Sequence, residues 1–276
     1  MIDLFTQGFV LSALEASVLM GLLLAYLGVH VVRRGIVFVD LALGQISMLG
    51  VAFAGFIEQE PTVISIVFTL AGAFLMSLIK VQDRRLKQES IIGIIYAVAS
   101  AATVLFIAKS PHGDADISEV LFGSVFTVSD SQIWTMLIVF GLIGAMHFVF
   151  RGKFFALTEK FERHDVEDIG ILNVWNVLFY VSIGLTIVLA VRSAGVIPVF
   201  SYLIIPPVAA ILVAHSQSAV VLVALAISML GNVSGLYVSL YFDFPAGSSI
   251  VALLGVWIVI VALFRWGKRL AVGTSE

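Results

Sequence analysis

The sequence predicts an all-α fold, a polytopic transmembrane helical bundle with about nine spans, eight being the alternative count. Three observations predict it. Of the 276 residues, 61% are hydrophobic and only 12% charged, against roughly half and a quarter in soluble domains. Mean hydropathy is +1.12. Apolar runs of about 20 residues, the length that crosses a bilayer as a helix, recur along the whole chain, and a helix satisfies its own backbone in lipid. One transmembrane domain is expected over 1–276. The first segment has no basic flank and no A-x-A-like site, so no cleavable signal peptide is expected. There are no cysteines, which removes disulfides, thiolate metal sites and thiol chemistry.

Taken in order, the spans fall near 8–32, 36–57, 62–79, 90–108, 131–150, 172–192, 198–214, 218–242 and 249–266. The connections then alternate in charge. Arg33, Arg34, Lys80, Arg84, Arg85, Lys87, Arg151, Lys153, Lys160, Arg163, Arg265, Lys268 and Arg269 share one side, leaving only Lys109 and Arg192 of the 15 basic residues for the other. Cytoplasmic loops concentrate Lys and Arg, so the first side is inside, the N-terminus outside and the C-terminus inside.

The second span carries Asp40, about a turn and a half inside the run that opens at Gly35. A carboxylate there costs roughly 2.5–3.5 kcal/mol on insertion scales, so it faces a bundle interior or a pathway. Asp40, Gly44 and Ser47 share one helix face, and Gln45 points elsewhere. The bland reading of Asp40 is a cap or a structural pair.

Two loops are long. The outer one, 109–130, contains an amphipathic segment, Ile117–Phe126, expected as a short interfacial helix. The inner one, 151–170, is dense in both charge signs and admits a short cytoplasmic helix closed by Gly170. Its bland reading is a solvated connector. The seventh span holds Pro198, Pro206 and Pro207, and the adjacent pair is expected to kink or break it. In the eighth, Ser228, Asn232, Gly235, Ser239 and Asp243 form one small and polar stripe, with a second weak point at Gly231–Gly235. Such stripes more often serve helix packing, but this one ends on an aspartate.

Soluble-enzyme motifs are missing. Without G-x-x-x-x-G-K-[ST] the chain binds no ATP in the usual way, and G-x-S-x-G, H-E-x-x-H and C-x-x-C are absent too. His30, His112, His147, His164 and His215 share no metal-ligand spacing and read as ordinary polar residues. His112 beside Asp114 and Asp116 is a weak cation scavenger. Two acids in or beside spans stand out, Asp40 and Asp243. Oxygen donors of this kind suit hard or borderline divalent cations held transiently.

Several segments together resemble the integral permease subunits of the zinc/manganese/iron family of bacterial ABC importers. They are Arg33-Arg34 with GIVFVDLALGQISMLG, Glu89-Ser-Ile-Ile-Gly93-Ile-Ile-Tyr96, Leu121-Phe-Gly123 through Ser129, Ala194-Gly195 with Leu203-Ile-Ile-Pro206, and Gly235 through Gly247. The resemblance implies a permease paired with a second copy of itself, docked on two cytoplasmic ABC ATPase subunits and fed by an extracytoplasmic metal-binding protein. It further implies a multi-pass location in a bacterial or archaeal cytoplasmic membrane, with contact to lipid and none to nucleic acid. No cofactor is bound permanently. The divalent metal is cargo, and ATP belongs to the partner subunit.

Residue by residue, the resemblance puts Asp40 and Asp243 at the family's metal positions. Ser47, Ser239 and Gln45 stand by as further oxygen donors. Glu162, His164, Glu167 and Gly170 fall where the family couples to its ATPase. Familiar members carry a histidine four residues after the first aspartate and another four before the second; here Gly44 and Ser239 stand there. That leaves an oxygen-only set, which shifts the expected cargo from zinc towards manganese or iron. With straight helices, Asp40 lies roughly 8 Å from the inner edge and Asp243 at the outer edge. Either a break at Gly231–Gly235 folds Asp243 inward, or the second span starts deeper. The alternatives are an ion-coupled secondary transporter, which also wants midplane acids but normally an internal repeat not seen here, an ABC permease for a metal chelate, and, most remotely, an intramembrane enzyme.

Overall fold

The computed structural model describes residues 8–81, 85–109, 125–165 and 169–273, with side chains to 268. Ten α-helices are present among them: α1 Gly8–Arg34, α2 Val39–Phe56, α3 Pro61–Leu78, α4 Gln88–Ile107, α5 Asp130–Val149, α6 Arg151–Glu162, α7 Val174–Ala194, α8 Val196–Val213, α9 Gln217–Phe242 and α10 Ala246–Gly273. All but α6 are long and apolar enough to cross a membrane, giving nine candidate spans. Each expected span is found, with ends within a few residues. Most of Ile117–Phe126 lies outside the described residues; its last two residues enter a short 3-10 turn, Val125–Thr127. His112, Asp114, Asp116 and Glu167 also lie outside them.

The helix boundaries follow from local chemistry. Glu60 caps α3 by accepting from the amides of Thr62 (2.9 Å) and Val63 (3.1 Å), with Pro61 in the first helical position. Those bonds, Thr62 first, hold the Glu60 carboxyl below the usual glutamate range. Asn173 caps α7 through the Asn176 amide at 3.1 Å, and Ser216 caps α9 through Ala219 at 3.3 Å.

The chain divides into two compact units, each assembled from separated segments. The first holds 1–32, 124–134 and 197–276. Here the helices meet through small residues, since lipid offers no hydrophobic drive and close backbone approach must supply the attraction. Gly28 of α1 lies directly against the Leu203 carbonyl and the Pro207 ring of α8, where a Cβ has no room. Pro207 has no N–H to donate to Leu203, so this carbonyl is free to face α1. On α9, Gly231 abuts Leu254 of α10, and a Cβ on Gly235 would stand 2.5 Å from the Ile250 Cα.

Two expectations need correcting. Pro206 and Pro207 do not break α8, which is helical throughout Val196–Val213. Likewise α9 runs unbroken through Gly231–Gly235, which removes that break as a way of folding Asp243 inward. The stripe's middle is packing: Asn232 is fully buried, accepts from the Tyr202 hydroxyl and donates to the Ser17 carbonyl at 3.1 Å.

The second unit holds 33–123 and 135–196. Helix α2 packs on α3, α4 and α7, and α3 on α7. Gly50 allows α2 to within contact of the Ser65 backbone, Gly72 receives Ile46, and Gly184 receives Ala73 and Thr69. Helix α5 joins α7 through His147 and Ser182 (3.2 Å) and through the Ser193 hydroxyl on the Met136 sulfur (3.9 Å).

The short helix α6 buries Phe154, Leu157, Thr158 and Phe161, an i, i+3, i+4, i+7 stripe. Its ring contacts are Phe154 on Trp175 (5.6 Å) and Phe154 stacked on His147 (3.8 Å). The helix ends at Arg163 with His164 in the left-handed region (φ 57°). Gly170 is therefore not its cap. Its carbonyl, with that of Ile169, instead accepts from the Lys80 ammonium.

The orientation is testable in this cysteine-free background. Lys87→Cys and Lys153→Cys, both exposed positions, are expected to resist an impermeant thiol reagent applied outside, while Gln59→Cys labels fully. Thr158, another inner-side position, is fully buried and unsuitable. Outside labelling of Lys87→Cys in intact cells overturns the assigned topology.

Candidate functional site

Helix α2 begins after a tight turn. Gly35 takes a left-handed φ of 66°, the Val39 amide donates to the Ile36 carbonyl at 3.0 Å, and Ala42 bonds back to Phe38 at 3.1 Å. Asp40 therefore sits in the first turn of α2, nearer the helix start than a span opening at Gly35 places it. A helix N-terminus favours an anion, which is one reason a carboxylate is tolerated here. Asp40 is only 3% exposed, and its Oδ1 has no hydrogen-bond partner among the described residues. A buried acceptor left unmade costs about 1–3 kcal/mol, more when charged.

Gly44 and Ser47 share its face and are buried, Ser47 at 2%. A Cβ on Gly44 meets nothing within 4 Å. Gln45 lies off this face, half-buried, with its amide 3.9 Å from the Met48 sulfur.

Asp243 belongs to the other unit. It is the C-cap of α9 in the left-handed conformation (φ 56°, ψ 40°), and its carboxylate is exposed. Its amide bonds the Ser239 carbonyl, which also accepts from Phe244 at 3.0 Å. The Ser239 hydroxyl, 2% exposed, donates to the Phe244 carbonyl at 2.6 Å. Its proton is committed to the cap while its oxygen lone pairs stay free to accept or ligate. No cluster of three His, Cys, Asp or Glu that could hold a metal ion exists among the described residues.

A second group of residues gathers at one end of the second unit. Arg33 Nε and Nη2 both donate to Glu162 Oε2, at 3.0 and 2.6 Å. Arg34 Nε donates to Thr158 Oγ1 and Nη1 to Asn176 Oδ1, both at 3.0 Å. Asn176 passes the connection to the Ser77 carbonyl at 2.7 Å, and Gln88 bonds the Tyr180 hydroxyl at 2.9 Å. The ends of α1, α3, α4, α6 and α7 thus meet at one end of the second unit.

Of the expected coupling residues, Glu162, His164 and Gly170 are exposed here and Glu167 lies outside the described residues. Glu162 is already engaged by Arg33, which leaves His164 and the outward face of α6 for any partner. Sequence reasoning missed Arg34, Thr158 and Asn176. The signal was two adjacent arginines, read as a marker of orientation and as part of the family segment that leads to Asp40.

The ABC 3 transport family matches residues 6–265. The chain is 27% identical over 263 residues to the manganese transport system membrane protein MntC of Listeria innocua, covering 95% of this chain and 92% of that one. To the high-affinity zinc uptake system membrane protein ZnuB of Haemophilus influenzae it is 26% identical over 253 residues, covering 92% and 96%. Among solved structures, PsaBC from Streptococcus pneumoniae in complex with Fab shares the fold with a TM-score of 0.77 at 24% identity, covering 94% of this chain and 93% of that one.

Proposed function

The chain belongs to the ABC 3 transport family, and on that premise we propose that it is the membrane-spanning permease subunit of an ATP-driven importer of divalent transition-metal ions. Its relatives are named for manganese and zinc transport. The observation that carries the reading to the ion is the buried Asp40 oxygen without a hydrogen-bond partner among the described residues, within a span otherwise free of charge. Asp40 in the second unit and Asp243 in the first are the proposed carboxylate ligands, with Ser47 and Gln45 of α2 and Ser239 of α9 as the neutral oxygen donors on offer. Oxygen-only ligation favours manganese or iron over zinc.

Hydrolysis takes place on a separate subunit, because the chain has no phosphate-binding loop of its own. The working unit is two copies of this chain on two cytoplasmic ATPases, served by an extracytoplasmic metal-binding protein, in a bacterial or archaeal cytoplasmic membrane. Helix α6 and the turn after it form the docking element, with His164 at its tip.

Co-reconstitution with an ATPase of the family into proteoliposomes tests this directly. Manganese accumulation is expected only with ATP and the ATPase present. Accumulation driven by an ion gradient with this chain alone makes it a secondary transporter instead, and transport of a metal chelate in preference to the free ion makes it a chelate permease.

A further inference from the structure

We propose that Arg34 is a positioning residue, a strut that ties the docking helix α6 to the turn presenting Asp40. The inference rests on the reading of α6 given above and names how its position is felt at the ion path. One guanidinium touches two elements of the second unit and reaches a third through Asn176. Its Nε holds Thr158 of α6 and its Nη1 holds Asn176 of α7, both at 3.0 Å. Its plane lies 3.7 Å over the Phe179 ring of α7 and 5.1 Å from Phe161 of α6. Through Asn176 the connection continues to the Ser77 carbonyl at the end of α3.

Arg34 is only 7% exposed, so it is no ordinary solvated positive charge of a cytoplasmic loop. All its contacts are neutral, and Nη2 has no partner among the described residues. A guanidinium with a donor to spare can exchange partners without losing its stacking, which a lysine cannot do.

From Arg34 the path to Asp40 is short. Gly35 is left-handed, Ile36 and Val39 are buried to within 1%, and the turn is closed by the Val39 and Ala42 amides. Five residues lie between the guanidinium's backbone and the carboxylate's, and the turn they form is hydrogen-bonded and packed rather than slack. A shift of α6 that pulls on Thr158 is therefore delivered to the start of α2. The neighbouring Arg33 reinforces the same tie through Glu162, at the surface, where it contributes less.

The test uses the complete permease–ATPase complex in proteoliposomes, with manganese uptake and ATP hydrolysis measured on the same vesicles. Arg34→Lys keeps the charge but cannot span Thr158 and Asn176 while stacking on Phe179. Thr158→Val removes one hydroxyl from a fully buried site, and Thr158→Ser restores it. For both Arg34→Lys and Thr158→Val, hydrolysis is expected to stay within about twofold while ions moved per ATP fall by about tenfold or more, the scale of a lost hydrogen bond to a charged group. Thr158→Ser should return the ratio to the wild-type value, and the double variant should be no worse than Arg34→Lys alone, because both cut one connection.

An unchanged ratio, or uptake and hydrolysis falling in proportion, overturns the strut and leaves Arg34 as packing. If Arg34→Lys fails to assemble, Thr158→Val decides alone. Absence of ATP-driven uptake in the wild-type complex instead defeats the transport reading, so the two failures are distinguishable.

Discussion

Asp40→Asn is expected to abolish manganese uptake, with Asp243→Asn close behind. The carboxylates are the only formal charges offered by α2 and by the end of α9, and the remaining candidate donors are neutral. Removing one full charge from so sparse a set should weaken ion binding more than tenfold, that is by more than about 1.4 kcal/mol. The two substitutions are not equivalent for folding. Asp243 is exposed and left-handed, a conformation that asparagine also accepts, so Asp243→Asn changes charge and little else. Asp40 is buried with one oxygen unpartnered, and an amide there must hide an NH2 or an oxygen in the same place. Uptake must therefore be normalised to the amount of folded protein, measured by a stable monodisperse peak after extraction. Wild-type uptake by both variants removes the two acids from the ion path.

What the sequence revealed and what it hid divide along physical lines. The spans were legible because each must be apolar over a bilayer's thickness, and their orientation expectation came from where lysine and arginine collect. The start of α3 carried a local signal too, Glu60-Pro61, an acid cap followed by a proline at the first position, which the span assignment did not use.

Helix interruptions were not legible. The Pro206–Pro207 pair reads as a break, yet both prolines are buried and α8 keeps its helix, with the freed Leu203 carbonyl lying against the glycine at position 28 of α1. The end of α6 was misplaced at Gly170 because glycine is the usual left-handed residue, whereas His164 takes that conformation here. The Arg34 connection was beyond reach for a different reason. Its partners lie 124 and 142 residues away, and nothing local distinguishes a stacked, buried arginine from a solvated one. Of the candidate ion ligands, the residue types and helix faces were readable, while the commitment of the Ser239 hydroxyl to the α9 cap was not.

Restoring the imidazoles is expected to move the preference from manganese towards zinc, and the structure says which substitution should be made first. Gly44 is four residues after Asp40 on the same helix face, and a side chain there enters open space. Helix propensity also favours His over Gly in mid-helix. Gly44→His should therefore fold well and by itself raise zinc uptake relative to manganese, because a nitrogen donor suits zinc better than it suits manganese. Ser239→His is harder. It sacrifices the hydroxyl bond to Phe244, worth about 0.5–1.5 kcal/mol, and must fit a ring where the serine is 2% exposed. The pair should shift the zinc-to-manganese uptake ratio about tenfold or more, equivalent to at least about 1.4 kcal/mol of differential binding, with a smaller shift from Gly44→His alone. The measurement is competitive uptake of the two ions by cells carrying equal amounts of folded protein. A ratio unmoved in both variants, with uptake retained, means that selectivity is set elsewhere along the path and not by the ligands beside these two aspartates.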